Sequence, residues 1–187
     1  MVEQAISHGI IVNLYKKKPK KDNEGRLIFK KSGVFLFTGL ILVILFSSVA
    51  ALMGYYVPEI MSEGSIDSSM TDLFYICGYS ITGLFILIGV WEITIFFKFK
   101  IIVSKEEITC KKIFSTQTLM LVEIETITFS NRSALIFRGP HSKIAFGNFT
   151  SGLLAMVGFI EENIPEYKFE KAVPKAKKML RCNGIDC

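Results

Sequence analysis

The sequence predicts a membrane α-hairpin of two transmembrane helices joined to a small α+β cytoplasmic domain. Three observations carry this expectation. Half of the 187 residues are apolar and only 21% are charged, and mean hydropathy is +0.42, a balance that disfavours disordered, fibrous and ordinary soluble chains. Lys and Arg are absent from Ser32 through Phe97, so the 22 basic residues stand on either side of that stretch. After Phe97 the continuous apolar pattern gives way to short alternating segments.

Val34 to Val57 runs 24 residues without a charge, about 36 Å as a helix, enough to cross a bilayer core. Leu73 to Phe97 runs 25 residues with one charge, Glu92. In each run about a dozen large aliphatic and Phe residues favour insertion by several kcal/mol. A cleaved signal peptide is the competing reading of the first run, with Ser48-Val49-Ala50-Ala51 as its cleavage site. A signal peptide, however, has a much shorter apolar stretch and basic leader. The expected organisation is a basic N-terminal segment (1–32), a first span (33–57), a short acidic extracytoplasmic loop (58–72), a second span (73–97), a cytoplasmic domain (98–167) and a basic C-terminal tail (168–187).

Charge placement sets the expected orientation. Lys16, Lys17, Lys18, Lys20, Lys21, Arg26, Lys30 and Lys31 precede the first span, and Lys98, Lys100, Lys105, Lys111 and Lys112 follow the second. The loop carries Glu59, Glu63, Asp67 and Asp72 and no basic residue. The positive-inside rule then puts the loop outside and both termini in the cytoplasm of a multi-pass cell-membrane protein. Tyr55, Tyr56, Tyr75 and Trp91 take the places of interfacial aromatics. Met1 to Tyr15 stays open between a strand and an interfacial helix over Ile10 to Tyr15.

In the domain, Ile108 and Cys110 alternate with Thr109 and Lys111, Thr118 to Val122 is apolar, and Ile127 and Phe129 alternate with polar neighbours. Ala134 to Phe137 and Lys143 to Phe146 follow, joined by Arg138-Gly139-Pro140-His141-Ser142, whose Gly-Pro suits a hairpin turn. A helix is expected over Ser151 to Asn163, with Leu153, Val157, Ile160 and Ile164 on one face, Thr150 as N-cap and Pro165 as stop. The strands form an antiparallel meander that cannot bury its apolar face alone, and this helix supplies the cover.

Two apolar spans followed by Phe99-Lys100-Ile101-Ile102-Val103-Ser104-Lys105-Glu106-Glu107-Ile108, then Leu121-Val122-Glu123-Ile124-Glu125-Thr126-Ile127 and an amphipathic helix, resemble bacterial two-pass membrane proteins with a pleckstrin-homology-like domain. The resemblance rests on element order over about two thirds of the chain, and many members of that group are uncharacterised. It implies a PH-like antiparallel sheet or barrel capped by a C-terminal helix. Lipid-binding pleckstrin-homology domains cluster basic residues in the first hairpin, whereas Ser104-Lys105-Glu106-Glu107 is half acidic. The family's Trp in the final helix is also absent here, so phosphoinositide recognition is not expected.

No catalytic motif is present: there is no Gly-x-Ser-x-Gly, His-Glu-x-x-His, phosphate loop or dinucleotide fingerprint. The expectation is a non-enzyme without cofactor. Cys77, Cys110, Cys182 and Cys187 do not form the close pairs of a zinc site, and His8 and His141 do not complete one. Cys182 and Cys187 read as free thiols on a tail, and the last four residues lack the prenylation pattern.

Glu92 is the one charged side chain within a span, and an ionisable group at such a position is a functional hypothesis by default. The structural alternative pairs it with interfacial water or with Lys30 or Lys31. Ser47, Ala50, Ala51 and Gly54 on the first span are small residues for close packing against Gly78, Gly83 or Gly89 on the second, with homodimerisation as the other use. Lys16, Lys17, Lys18, Lys20, Lys21, Lys30, Lys31, Lys98 and Lys100 face an anionic inner leaflet, which turns pI 9.0 away from nucleic acid. Lys175, Lys177, Lys178 and Arg181 form a second basic group, either a solvated tail or a surface-lying helix. The function these features favour is a membrane-held protein-interaction or assembly module with an unnamed protein partner for residues 99–167. The alternative is an accessory or regulatory subunit of a transporter, or a minor ion pathway using Glu92.

Overall fold

The computed structural model describes residues 9, 10, 12–62, 68–130, 133–147 and 149–185. The chain divides into two compact units: residues 33–97, and a second unit in which 1–32 joins 98–187.

The first unit consists of two helices, α1 (Val34–Ser62, 29 residues) and α2 (Ser68–Lys98, 31 residues). Both overrun the expected spans. Helix α1 continues past Pro58, which lacks an N–H and leaves one gap in the ladder, to Ser62, and α2 starts at Ser68, so much of the expected 58–72 loop is helical. Residues 63–67 lie outside the described residues. Val34–Pro58 and Tyr75–Lys98 are long and apolar enough to cross a membrane, and only 6% and 11% of them is buried. A core helix of a soluble protein would be mostly covered, whereas Phe37, Ile44, Leu52, Ile76, Leu84 and Leu87 are all exposed. Hydroxyls inside the helices bond back into them: Ser48 Oγ donates to the Ile44 carbonyl (2.9 Å), Thr82 Oγ1 to Gly78 (2.7 Å) and Thr94 Oγ1 to Val90 (2.8 Å), which satisfies these groups without water.

Among the described residues, the second unit holds eight antiparallel strands in two sheets. The first sheet runs in the order β1 (Lys20–Lys21), β2 (Leu27–Lys30), β3 (Lys100–Val103), β4 (Glu107–Lys111) and β5 (Thr116–Met120); the other holds β6 (Thr126–Phe129), β7 (Leu135–Arg138) and β8 (Lys143–Phe146). The strands do not close into a barrel, because the Leu121–Glu125 turn interrupts the ladder between β5 and β6. What the sequence presents as a basic N-terminal segment is part of this domain. Phe29 pairs with Ile101 and Lys30 with Lys100, and Phe29 is fully buried, its ring edge-on to Phe146 at 5.1 Å. Residues 12–16 are helical, and Leu14 and Tyr15 are buried.

Helix α3 (Leu153–Asn163) covers the core with Leu153, Met156, Val157 and Ile160, and Ile164 follows just before Pro165, so the expected stripe and stop hold. The expected cap does not. Thr150 is buried and bridges to Lys31, and the capping residue is Gly152, whose φ of 88° is left-handed. A Cβ there would lie 2.9 Å from the Lys17 carbonyl oxygen, so glycine is required both by conformation and by space. The C-terminal tail is likewise not a loose tail. After a short turn at Glu166–Lys168, α4 (Ala172–Cys182) buries Ala172, Val173, Ala176 and Leu180, and its lysines occupy the other face. The domain therefore extends beyond 98–167 at both ends.

Replacing Phe29 by Ala is expected to destabilise the β domain by about 3–5 kcal/mol, the usual cost of deleting a buried ring. Denaturant titration of the detergent-solubilised chain, followed by protease sensitivity of residues 99–187, measures it.

Candidate functional site

Two places gather the residues singled out by sequence: the interior of the helix pair and one end of the first sheet. Within the helix pair, α1 and α2 run antiparallel in a single register. Phe46 stacks on Phe85 with ring centroids 4.4 Å apart, and the Tyr79 hydroxyl donates to the Ala50 carbonyl at 3.5 Å. The backbones come closest at Gly39 and Gly89. A Cβ on Gly39 would lie 2.7 Å from the Gly89 carbonyl oxygen, and one on Gly89 would lie 2.8 Å from the Gly39 carbonyl oxygen. Neither position can carry a side chain without moving a helix.

This shifts the packing site assigned from sequence. Gly78 does pack against Met53, and a Cβ on Gly54 would lie 3.1 Å from the Tyr79 hydroxyl. Ala50 is half-buried, but Ser47 and Ala51 are exposed and a Cβ on Gly83 would meet nothing within 4 Å. Of the two small pairs four apart, Ser47/Ala51 is exposed and Ala50/Gly54 lies against Tyr79, while the backbone approach uses Gly39 and Gly89, which no spacing rule selects. Gly89 was a candidate from sequence and Gly39 was not.

Glu92 lies one turn from Gly89, and its partner is on α1: Thr38 Oγ1 donates to Glu92 Oε2 at 2.5 Å. Thr38 also approaches the Val34 carbonyl at 2.9 Å. Its single proton can serve one acceptor, and a carboxyl oxygen at this distance is the stronger one. Thr38 was not foreseen, because a Thr in an apolar run carries no mark of its own.

The lysines separate into three environments. Lys16, Lys17 and Lys18 are exposed where the short N-terminal helix ends, and Lys20 and Lys21 are exposed on β1. Lys30 and Lys100 stand directly opposite each other on β2 and β3, and Lys98 is exposed at the end of α2. Lys31 is covered instead. Its Nζ lies 4.8 Å from the Phe99 ring centroid, a cation–π contact, and burial lowers its pKa from the ordinary 10.5. Cys110 shares this neighbourhood, and burial raises its thiol pKa above the usual 9.0 against the pull of Lys112 and Lys31. Cys77 and Cys182 are exposed free thiols; Cys187 lies outside the described residues. Among the described residues no group of three His, Cys, Asp or Glu could hold a metal ion.

No protein-family model, curated protein or solved structure matches the chain. The geometry alone therefore carries the functional reading.

Gly89→Leu is expected to separate the helices and Gly83→Leu to leave them paired. Disulfide trapping between Phe46→Cys and Phe85→Cys, in a background lacking the native cysteines, reads the difference as a severalfold loss of cross-linking in the first variant only. For the thiols, a chain with Cys182 as its sole cysteine should react rapidly with a water-soluble maleimide, and one with only Cys110 should react after unfolding alone. The raised Cys110 value also has a sign. Above pH 9.0 the unfolded chain releases the thiol proton before the folded one does, so this contribution to stability falls as pH rises. Cys110→Val should flatten that alkaline decline in a denaturation series.

Proposed function

We propose that this is a two-pass integral membrane protein that holds a PH-like domain at the cytoplasmic face as a non-catalytic protein-interaction or assembly module. The observation that carries the reading is the β2–β3 ladder, Leu27↔Val103 through Lys30↔Lys100. It joins the chain before the two apolar helices to the chain after them. Segments in one sheet occupy one compartment, so on a membrane reading the helices cross an even number of times. This supports the hairpin topology independently of the positive-inside rule, which then selects the cytoplasm for the lysine-bearing ends.

The PH-like reading is supported by β2 to β5 beside β6 to β8, two antiparallel sheets followed by a covering helix. On this view the apolar hairpin is inserted between β2 and β3 of the domain rather than placed ahead of it. A partner surface is supported by Val122 and Tyr167, two strongly exposed apolar side chains. The Lys168 ammonium donates to the Val122 carbonyl at 3.3 Å and holds their two loops together. Exposed apolar groups brought together outside the core are a usual feature of protein-docking faces.

The second reading, a transporter accessory subunit or minor ion pathway, is favoured by the Thr38–Glu92 hydrogen bond inside the helix pair. The two readings separate experimentally. If the domain is the module, Val122→Asp combined with Tyr167→Asp abolishes co-purification of partners in mild detergent, and Glu92→Gln leaves it intact. If the pathway reading holds, Glu92→Gln abolishes an ion flux in reconstituted vesicles and the surface variant does not. Cysteines introduced at Asn23 and at Glu170, labelled in sealed vesicles, should react from the same side; opposite sides would end the two-pass reading.

A further inference from the structure

The first sheet is polarised along its strands. At one end the register sets Lys30, Lys100 and Lys111 directly opposite one another on three adjacent strands. With strands about 4.8 Å apart, their stems form a row of about 10 Å. The preceding or following residues on these strands, Phe29, Ile101 and Cys110, are buried in the core, so the three lysines project from the opposite face. Like charges placed directly opposite destabilise a sheet, and among the described residues no carboxylate forms an ion pair with any of the three. The other end of the same strands is built differently. There Asp22, Glu24, Arg26, Lys105, Glu106 and Glu107 gather, and Arg26 pairs with Asp22 at 2.7 Å and with Glu24 at 2.8 Å.

The lysine end also carries the most exposed aromatic of the domain. The β4–β5 turn closes through a Lys112 to Ser115 backbone bond of 2.8 Å, and Phe114 at its tip is 85% exposed. Phe149 is 45% exposed, and its carbonyl accepts the Ser32 amide proton at 2.8 Å. This is the end from which the chain passes to α1, through Lys31, Ser32 and Gly33, and to which it returns from α2 through Phe99. An unpaired lysine row beside a protruding Phe is the composition of a surface that meets anionic headgroups with its charges and the acyl boundary with its ring.

We propose that this end of the sheet is a lipid-docking edge: Phe114 inserts at the headgroup boundary of an anionic leaflet while Lys30, Lys100, Lys111 and Lys112 engage its phosphates. The occupant is the bilayer surface itself and not a soluble anion, because the charges lie in a row on an open face rather than around a pocket. The proposal rests on the reading that α1 and α2 span the membrane.

The test uses the full chain in nanodiscs. Phe114→Trp in a Trp91→Phe background leaves one indole, and substitution at so exposed a position spares the core. In an equal mixture of phosphatidylcholine and phosphatidylglycerol, its emission should shift to the blue and be quenched by lipid brominated near the headgroup. In phosphatidylcholine alone both effects should weaken. Replacing Lys30, Lys100 and Lys111 by Gln should reduce the docked fraction relative to the undocked one by about fivefold for each lysine removed. Leu45→Trp in the same background reports on α1, and quenching by lipid brominated in mid-chain is expected. If Leu45→Trp is quenched and Phe114→Trp emits as a solvated indole in both lipid mixtures, docking is refuted and the spanning helices stand. If neither is quenched, both readings fall. A response of Phe114→Trp to added inorganic phosphate in neutral nanodiscs, equal to that caused by anionic lipid, would also overturn the proposal by making the edge a soluble-anion site.

Discussion

The ladder between β2 and β3 is the constraint on which the rest of the structure depends. Four residues upstream of the apolar helices, Leu27 to Lys30, supply the strand that joins β1 to the remainder of the first sheet and carry Phe29 into the core. The intervening segment is long, and closing so long a loop between two short strands would be costly if it were a flexible coil. It is not a coil. Two helices of nearly equal length, antiparallel and joined at Gly39 and Gly89, bring their own ends together.

Several polar side chains of the helix pair find their partners within it. In an apolar medium every hydroxyl and carboxyl must find a partner inside the protein, since none is supplied by solvent. Ser48, Thr82 and Thr94 meet this within their own helix. Glu92 has no such local solution and takes its partner across the helix interface, from Thr38. That hydrogen bond lies one turn from the Gly39–Gly89 crossing, where the close backbones fix the distance between the two side chains. Packing and hydrogen bonding reinforce each other at the same level of the hairpin, which accounts for the pair structurally without assigning it an ion.

Much of this was legible from sequence because the signals are long. Runs of two dozen apolar residues identify the helices, and the period of Leu153, Val157, Ile160 and Ile164 identifies α3. Short or mixed signals were lost. Leu27-Ile28-Phe29-Lys30 has one strand's length in a lysine-rich stretch, and its pairing partner lies beyond both helices, so nothing local marks it. Helix α4 was left open between a solvated tail and a surface-lying helix: Val173, Ala176 and Leu180 recur at helical spacing, but Lys175, Lys177, Lys178 and Arg181 between them dominate the composition. The Thr150 cap failed for a different reason. A side-chain cap was expected where tertiary contact rules, since the Gly152 amide instead donates to the Leu14 carbonyl at 2.9 Å and the chain there must approach Lys17 and Phe29 closely.

The discontinuous domain has a consequence for how the molecule assembles. Strands β1 and β2 precede the helices in the chain and β3 to β8 follow them, so the β2–β3 ladder pairs segments from either side of both helices. Contacts of such long sequence separation form late, because the entropy of closing the chain must first be overcome. On the two-pass reading, insertion of the hairpin performs that closure in the bilayer, and folding of the domain follows it. Phe29 then serves as a record of the event. Its ring packs edge-on against Phe146, which belongs to the chain that follows both helices. A chain with one helix left outside the membrane would carry β2 and β3 on opposite sides and leave the core without the fully buried ring of Phe29.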